Sequence, residues 1–388
     1  MGIRKSINFN SVFLFLFLIL FPFGQIIRIG IVQPIDVVVG CAALYTVFAK
    51  LKKPVVFGYL ENFLIIVVFS WIFSALAFWQ LSSFYGLLYL LRFVAYFYFS
   101  IYVWNFAKKK GNKKLLLDSL LGISIISAIF GWLQYFIFPS IKPFTVWGWD
   151  EHLFRLVGTF LDPTFLGIII VFGLLILVTR LIEKWDKKNL VIGLFLVISL
   201  AFTYSRASYL AFFAGLIAIA YKYRKYLKNI LFVIIGFLAL MLILPTSANH
   251  VLSFTRQFSA IARLVDYRTT LQIFTKSPIF GVGYDNMCVA YNKFIALQPL
   301  SSHACSGSDS SILFILATTG VVGLISFISL IVACGEAIPL AVWKNNSDNL
   351  ILYSSFAALL VHSLFSNSLV YSWVLGWIVI LLGISLTG

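Results

Sequence analysis

Four short stretches concentrate residues able to hold an anion or move a proton. The first is Arg155-Leu156-Val157-Gly158-Thr159-Phe160-Leu161-Asp162-Pro163, and the second is Thr203-Tyr204-Ser205-Arg206-Ala207-Ser208. The third begins at Arg263, continues through Tyr267 and Arg268, and ends in Lys276-Ser277-Pro278-Ile279-Phe280-Gly281-Val282-Gly283. The fourth, Ser308-Asp309-Ser310-Ser311, leads into Ala317-Thr318-Thr319-Gly320-Val321-Val322-Gly323. Arginine suits an anion with several oxygens, because its planar fork bonds bidentately and keeps its charge. Arg206 also opens an apolar run, so free N–H groups at a helix N-terminus would reinforce such a site.

The elements that must carry these residues are membrane helices. Of 388 residues, 61% are hydrophobic and 11% charged, against about 25% charged in soluble domains. So few charges cannot cover a water-soluble monomer of this length, and disorder and disulfide scaffolds are excluded too. With about 20 apolar residues per crossing, the chain reads as about twelve spans. They run from Val12–Ile31, Pro34–Ala49, Tyr59–Trp79, Phe84–Phe106, Leu115–Phe138 and Thr164–Ile182 to Leu190–Tyr204, Ala207–Tyr221, Ile230–Leu244, Ser310–Cys334, Leu350–Ser368 and Tyr371–Leu386. The fold class is therefore all-α and polytopic. No cleavage site of small residues follows the first run, which reads as a retained span and not a signal peptide.

Basic clusters at 50–53, 108–114, 180–188 and 222–228 fall on every second loop, with Arg4 and Lys5 at the start. Placing them inside puts both termini in the cytoplasm. The net charge of +16 is thus mostly a topogenic signal, and nucleic acid is not an expected partner. Two outer loops are long, 139–163 and 245–309, within one transmembrane unit spanning 1–388. Arg256, Arg263, Arg268, Lys276 and Lys293 sit in the larger loop, on the translocated side. An anionic ligand at the outer membrane surface accounts for them.

Taken in order, the four stretches resemble the O-antigen ligase and O-antigen polymerase (Wzy) family of bacterial inner-membrane glycosyltransferases. The resemblance covers about Arg155 to Gly323 and rests on R-x-x-G-T-F-x-D-P, T-x-S-R, an Arg-led helix ending in G-V-G, and a polar pair opening a helix with T-x-G-x-x-G. It implies a glycan donor linked through pyrophosphate to undecaprenol, held at the outer face of the cytoplasmic membrane. Transfer would be inverting and would use neither metal nor nucleotide sugar. Arg206, Arg263, Arg268 and Arg155 become candidates for the pyrophosphate, where fixed cations stabilise charge on the leaving oxygen. A base must take the acceptor hydroxyl's proton. The ligase branch has a His at the entrance to the span that begins here near Ser310. The matching position is Asp309, with His303 upstream as a second candidate. This departure favours a polymerase. A ligase acting on lipid A core or protein, and a flippase for lipid-linked units, are the alternatives. Membrane lipid is a partner in every case, and the family suggests a polysaccharide chain-length regulator.

Other residues have two readings each. Arg92 lies inside the fourth span and faces either a polar cavity or a carboxylate partner. His362 and Asn367 either line that cavity or bond between helices. Tyr204, Ser205, Trp147 and Trp149 border the turn and loop where a sugar would stack. Asp162 before Pro163 also reads as a helix N-cap. Cys288 and Cys305 share the large outer loop and are expected to form a disulfide, while Cys41 and Cys334 lie in spans. No Cys/His spacing fits zinc and no carboxylate cluster fits calcium or magnesium, so no metal or cofactor is expected.

Overall fold

The computed structural model describes residues 9–28, 30, 32–78, 83–147, 149–244, 257–298, 305, 307–336 and 347–387. The described residues are mostly helical, and a helix falls within each expected apolar segment, although the first and eleventh are shorter than expected. The helices are α1 (Phe9–Leu20), α2 (Pro34–Phe48), α3 (Phe57–Phe78), α4 (Ser83–Ala107), α5 (Asn112–Ile137), α6 (Pro163–Glu183) and α7 (Lys187–Phe202). After them come α8 (Arg206–Lys222), α9 (Leu227–Ile243), α10 (Gln257–Phe274), α11 (Met287–Phe294), α12 (Ser311–Glu336), α13 (Ser347–His362) and α14 (Ser372–Ser385). No strand forms among the described residues, where a single β-bridge joins Ser140 to Leu153 in the 139–163 loop.

Among the described residues, six helices are long and apolar enough to cross a membrane: α3, α4, α5, α6, α9 and α12. The protein is a membrane protein. The first expected span is interrupted, because α1 stops at Leu20 and a 3-10 turn containing Pro22 follows. Pro22 lacks the N–H that would continue the α-helical ladder. The 245–309 region also carries more order than a loop, since α10 and α11 lie in it.

Helix starts are set by local chemistry. Asp162 accepts from the backbone N–H of Thr164 and Phe165 at 2.6 and 3.0 Å, and Pro163 opens α6 where no N–H is needed. Asp186 caps α7 and Ser205 caps α8 in the same way. α6 is the core of the bundle, with 72% of its most apolar window buried against 17% for α9 at the edge. It packs on α5, α7, α8 and α13, and a chain of contacts runs on through α14, α4 and α2 to α1. A second apolar cluster joins α3, α10 and α12.

α12 bends at Gly320, where φ is 70° and ψ −172°. The bend frees backbone groups that the segment after α10 takes up. Val282 and Gly283 donate to the carbonyls of Ala317 and Thr318 at 2.9 and 3.0 Å. In return Val321 and Val322 donate to Pro278 and Ile279 at 2.9 and 3.3 Å. The two chains approach so closely that a Cβ on Gly320 would lie 2.1 Å from the Ile279 carbonyl oxygen. A Cβ on Gly281 would lie 2.2 Å from the Thr318 carbonyl carbon. The glycine-rich parts of the third and fourth stretches therefore form one backbone junction, and Gly281-x-Gly283 is part of that packing.

Candidate functional site

The second stretch forms the turn between α7 and α8. Thr203 Oγ1 donates to the Leu200 carbonyl at 2.7 Å, and Tyr204 takes a left-handed φ of 51°. That reversal leaves Ser205 extended, so that its Oγ accepts from Ser208 N at 3.3 Å and Arg206 becomes the first residue of α8. Arg155 holds this turn from outside. Its Nε donates to the Thr203 carbonyl at 3.0 Å and its Nη2 to the Tyr204 carbonyl at 3.1 Å. Arg155, one of the pyrophosphate candidates, thus places two of its donors on the T-x-S-R backbone. Nη1 lies 3.4 Å from His152 Nδ1, and His152 Nε2 lies 3.9 Å from Asp162. The first and second stretches are thus one unit.

The turn is joined to α13 through buried hydroxyls. Ser208 Oγ lies 2.9 Å from Ser205 Oγ and 3.3 Å from His362 Nε2, whose Nδ1 lies 2.5 Å from Ser368 Oγ. His362 is fully buried, and both ring nitrogens are engaged between helices. It is therefore a strut of the site wall. Asn367 follows the end of α13, outside the helix. On the other side of His362, Tyr267 OH of α10 donates to the Leu364 carbonyl. Arg263, one helical turn before Tyr267, is half-buried and within electrostatic reach of both Tyr267 and His362. Arg268 is exposed.

The fourth stretch closes the cluster. Asp266 Oδ2 accepts from Ser308 Oγ and from Asp309 N, both at 2.9 Å. Asp309 is half-buried and faces the Tyr267 phenol electrostatically, together with Arg263 and Asp266. Burial pushes that phenol up, and Arg263 pulls it back. Ser311 N donates to Ser363 O at 2.9 Å and Ser311 Oγ to Ser366 O at 3.1 Å, so α12 begins on the carbonyls that end α13. Cys288 of α11 is disulfide-bonded to Cys305, which ties the chain leading to Asp309 back to the protein. His303 lies outside the described residues.

Arg206, Arg263 and Asp309 thus stand on three elements, α8, α10 and the start of α12, which bonded struts hold together at one end of the bundle. Two cations and a carboxylate on rigid supports can hold an oxyanion and accept a proton beside it. No group of His, Cys, Asp or Glu fit to hold a metal occurs among the described residues. Residues 190–328 match the family described as O-antigen ligase. The match covers about a third of the chain. The match spans three of the four stretches, and Arg155 joins them by its hydrogen bonds to Thr203 and Tyr204. No curated protein matches the chain. The domain supports a glycosyltransferase-like protein that handles lipid-linked glycans.

Sequence reasoning missed Asp266. Its signal was present, since Asp266, Asp285 and Asp309 are the three carboxylates of the 245–309 region. Sequence also left Arg92 without a partner. In the structure its Nη2 donates to Asp36 Oδ2 at 2.7 Å, joining α4 to the first turn of α2.

An apolar cavity of about 430 Å³ runs between α3, α4, α12, α13 and α14. Cys334 and Val56 line one end, and Tyr284, Phe93 and Leu369 the other. Leu369 N donates to Ser311 Oγ at 3.1 Å, two residues from Asp309. Leu369 thus links the lining of the cavity to the start of α12.

Proposed function

We propose that the protein polymerises lipid-linked oligosaccharide repeat units at the outer face of the bacterial cytoplasmic membrane. The growing glycan leaves undecaprenyl pyrophosphate and joins the non-reducing end of another lipid-linked unit. The observation that supports this reading is that the elements carrying Arg206, Arg263 and Asp309 are tied together by the Ser205–Ser208–His362, Tyr267–Leu364 and Asp266–Ser308–Asp309 bonds.

In this reading Arg206 and Arg263 hold the pyrophosphate. The guanidinium charges and the first N–H groups of α8 meet the negative charge that grows on the departing oxygen. The acceptor hydroxyl's proton goes to the Asp309 carboxylate as that oxygen attacks the anomeric carbon, and the bond to the pyrophosphate breaks on the opposite face. Asp266 fixes the Asp309 backbone, so the base stands where Arg263 and Tyr267 also reach. The apolar cavity is the natural berth for the isoprenoid carrier, because Leu369 links its lining to the start of α12. Asp309 in place of the ligase branch's His favours polymerase over ligase.

Deleting the gene and running the surface polysaccharide on a gel tests the reading. A ladder collapsing to one repeat unit is expected. Loss of the attached glycan with lipid-linked polymer accumulating assigns a ligase instead, and an unchanged ladder refutes both.

A further inference from the structure

A second polar cluster lies where α4, the start of α2 and the turn before α11 meet. Arg92 donates to Asp36 Oδ2 and lies over the Tyr89 ring, 4.9 Å from its centroid. Asp36 Oδ2 also accepts from Gln33 N at 3.0 Å, while its Oδ1 is buried with no hydrogen-bond partner. Asp285 reaches the same cluster from the Gly283–Asn286 turn, held in left-handed backbone at φ 56° and within electrostatic reach of Arg92 and Tyr89. Asn286 is 1% exposed and donates to Ser74 Oγ at 3.0 Å. Its Oδ1 is buried without a partner and is aimed at α4, where a Cβ on Gly86 would lie 2.4 Å away.

The cluster has more acceptors than donors. An Arg–Asp pair inside a membrane is complete with two members. Here Asp285 sets a second carboxylate beside one guanidinium, and two further oxygens stand buried and unmet. A buried acceptor left unmet has lost its water and gained nothing in return, so a ligand that brings donors is the complement. A phosphate is not that ligand, because Asp36 and Asp285 repel it. Uncharged hydroxyl groups fit, and burial supports this by pushing the Asp285 carboxyl up to about 7 against the pull of Arg92. Tyr284 and Phe93, chain neighbours of Asp285 and Arg92, line the cavity end that Leu369 lines on the Asp309 side. Chain neighbours of both polar clusters therefore line one apolar cavity.

We propose that Asp285, Asp36, Arg92 and Asn286 form a binding site for the hydroxyl groups of the acceptor glycan, separate from the arginine site for the donor pyrophosphate. The inference rests on the transferase reading above, which needs two glycans at once. The probe is the producing cell's own repeat-unit oligosaccharide, cleaved from its carrier with mild acid and fluorescently labelled. Its equilibrium binding is measured on the full-length protein in lipid nanodiscs. Wild type and Arg206→Lys should bind it equally. Asp285→Asn should bind it about tenfold more weakly, as expected for loss of one well-placed hydrogen bond, and Asp285→Glu should recover part of the affinity. Inorganic pyrophosphate should not displace it. Absence of binding to wild type, equal binding by Asp285→Asn, or displacement by pyrophosphate overturns the proposal. Binding that depends on Asp285 in a protein that transfers nothing from a lipid-linked donor would sustain this site and refute the transferase reading.

Discussion

The glycine junction at the α12 bend and the cluster around Arg206 both come from the stretches that carry the family resemblance, yet they are built on opposite principles. At the junction Gly281 and Gly320 serve by having no side chain, and the bonds are backbone to backbone. At the cluster the ties run mainly through side chains: Ser205, Ser208, His362, Asp266 and Ser308. A motif residue can therefore matter because an atom is absent or because one is present. The first kind positions the helix that carries Asp309. The second kind frames the site at which the chemistry is proposed.

Substitution separates the two kinds, and the largest effect belongs to the junction. Gly320→Ala drives a Cβ into the Ile279 carbonyl at a backbone angle that L-residues avoid, and should cost at least about 3 kcal/mol. Little folded protein should survive size-exclusion chromatography in detergent. A variant that accumulates and melts like wild type breaks the comparison. At the cluster the expectation reverses. Arg263→Ala should fold normally and slow glycan transfer about 100- to 1000-fold, the scale of one lost oxyanion contact. Arg206→Lys keeps the charge and loses the fork, and should shorten the polysaccharide ladder with a smaller loss in rate, about tenfold. Wild-type chain length and yield in that variant would remove the bidentate role of Arg206.

Smaller effects sharpen the boundary. Asp309→Asn should lower kcat about 100-fold with little change in thermal midpoint, the scale of a lost general base. Ser205→Ala should do the converse and lower stability by about 1 kcal/mol, read as a fall in melting temperature, since it removes the α8 cap. The smallest effect is a pH dependence. Asp285 ionises near 7 in the folded protein, far above the ordinary carboxylate, so the folded state holds its proton more tightly than the unfolded chain. The associated stability is present below the ordinary carboxylate range and is lost as pH rises through about 7. Arg92, Tyr89 and Tyr284 are charged or titratable groups within electrostatic reach of it. The wild-type melting temperature should fall across that pH, and Asp285→Asn should not show the fall.

Hydropathy and cap chemistry are local properties, and the sequence alone determined what they govern: the apolar segments that become helices, the Asp162 and Ser205 caps, and the four stretches with their order. Every further assignment depended on residues far apart in the chain. Arg92 meets Asp36 across 56 positions, Asp309 leans on Asp266 across 43, and Arg155 spends its fork on a turn 48 residues later. An arginine's charge is legible in a sequence, whereas the oxygen it faces is not, because burial and helix packing choose that partner. The same holds for Gly320. Its type announced freedom of backbone, and only the tertiary structure brought Ile279 close enough to make that freedom a necessity.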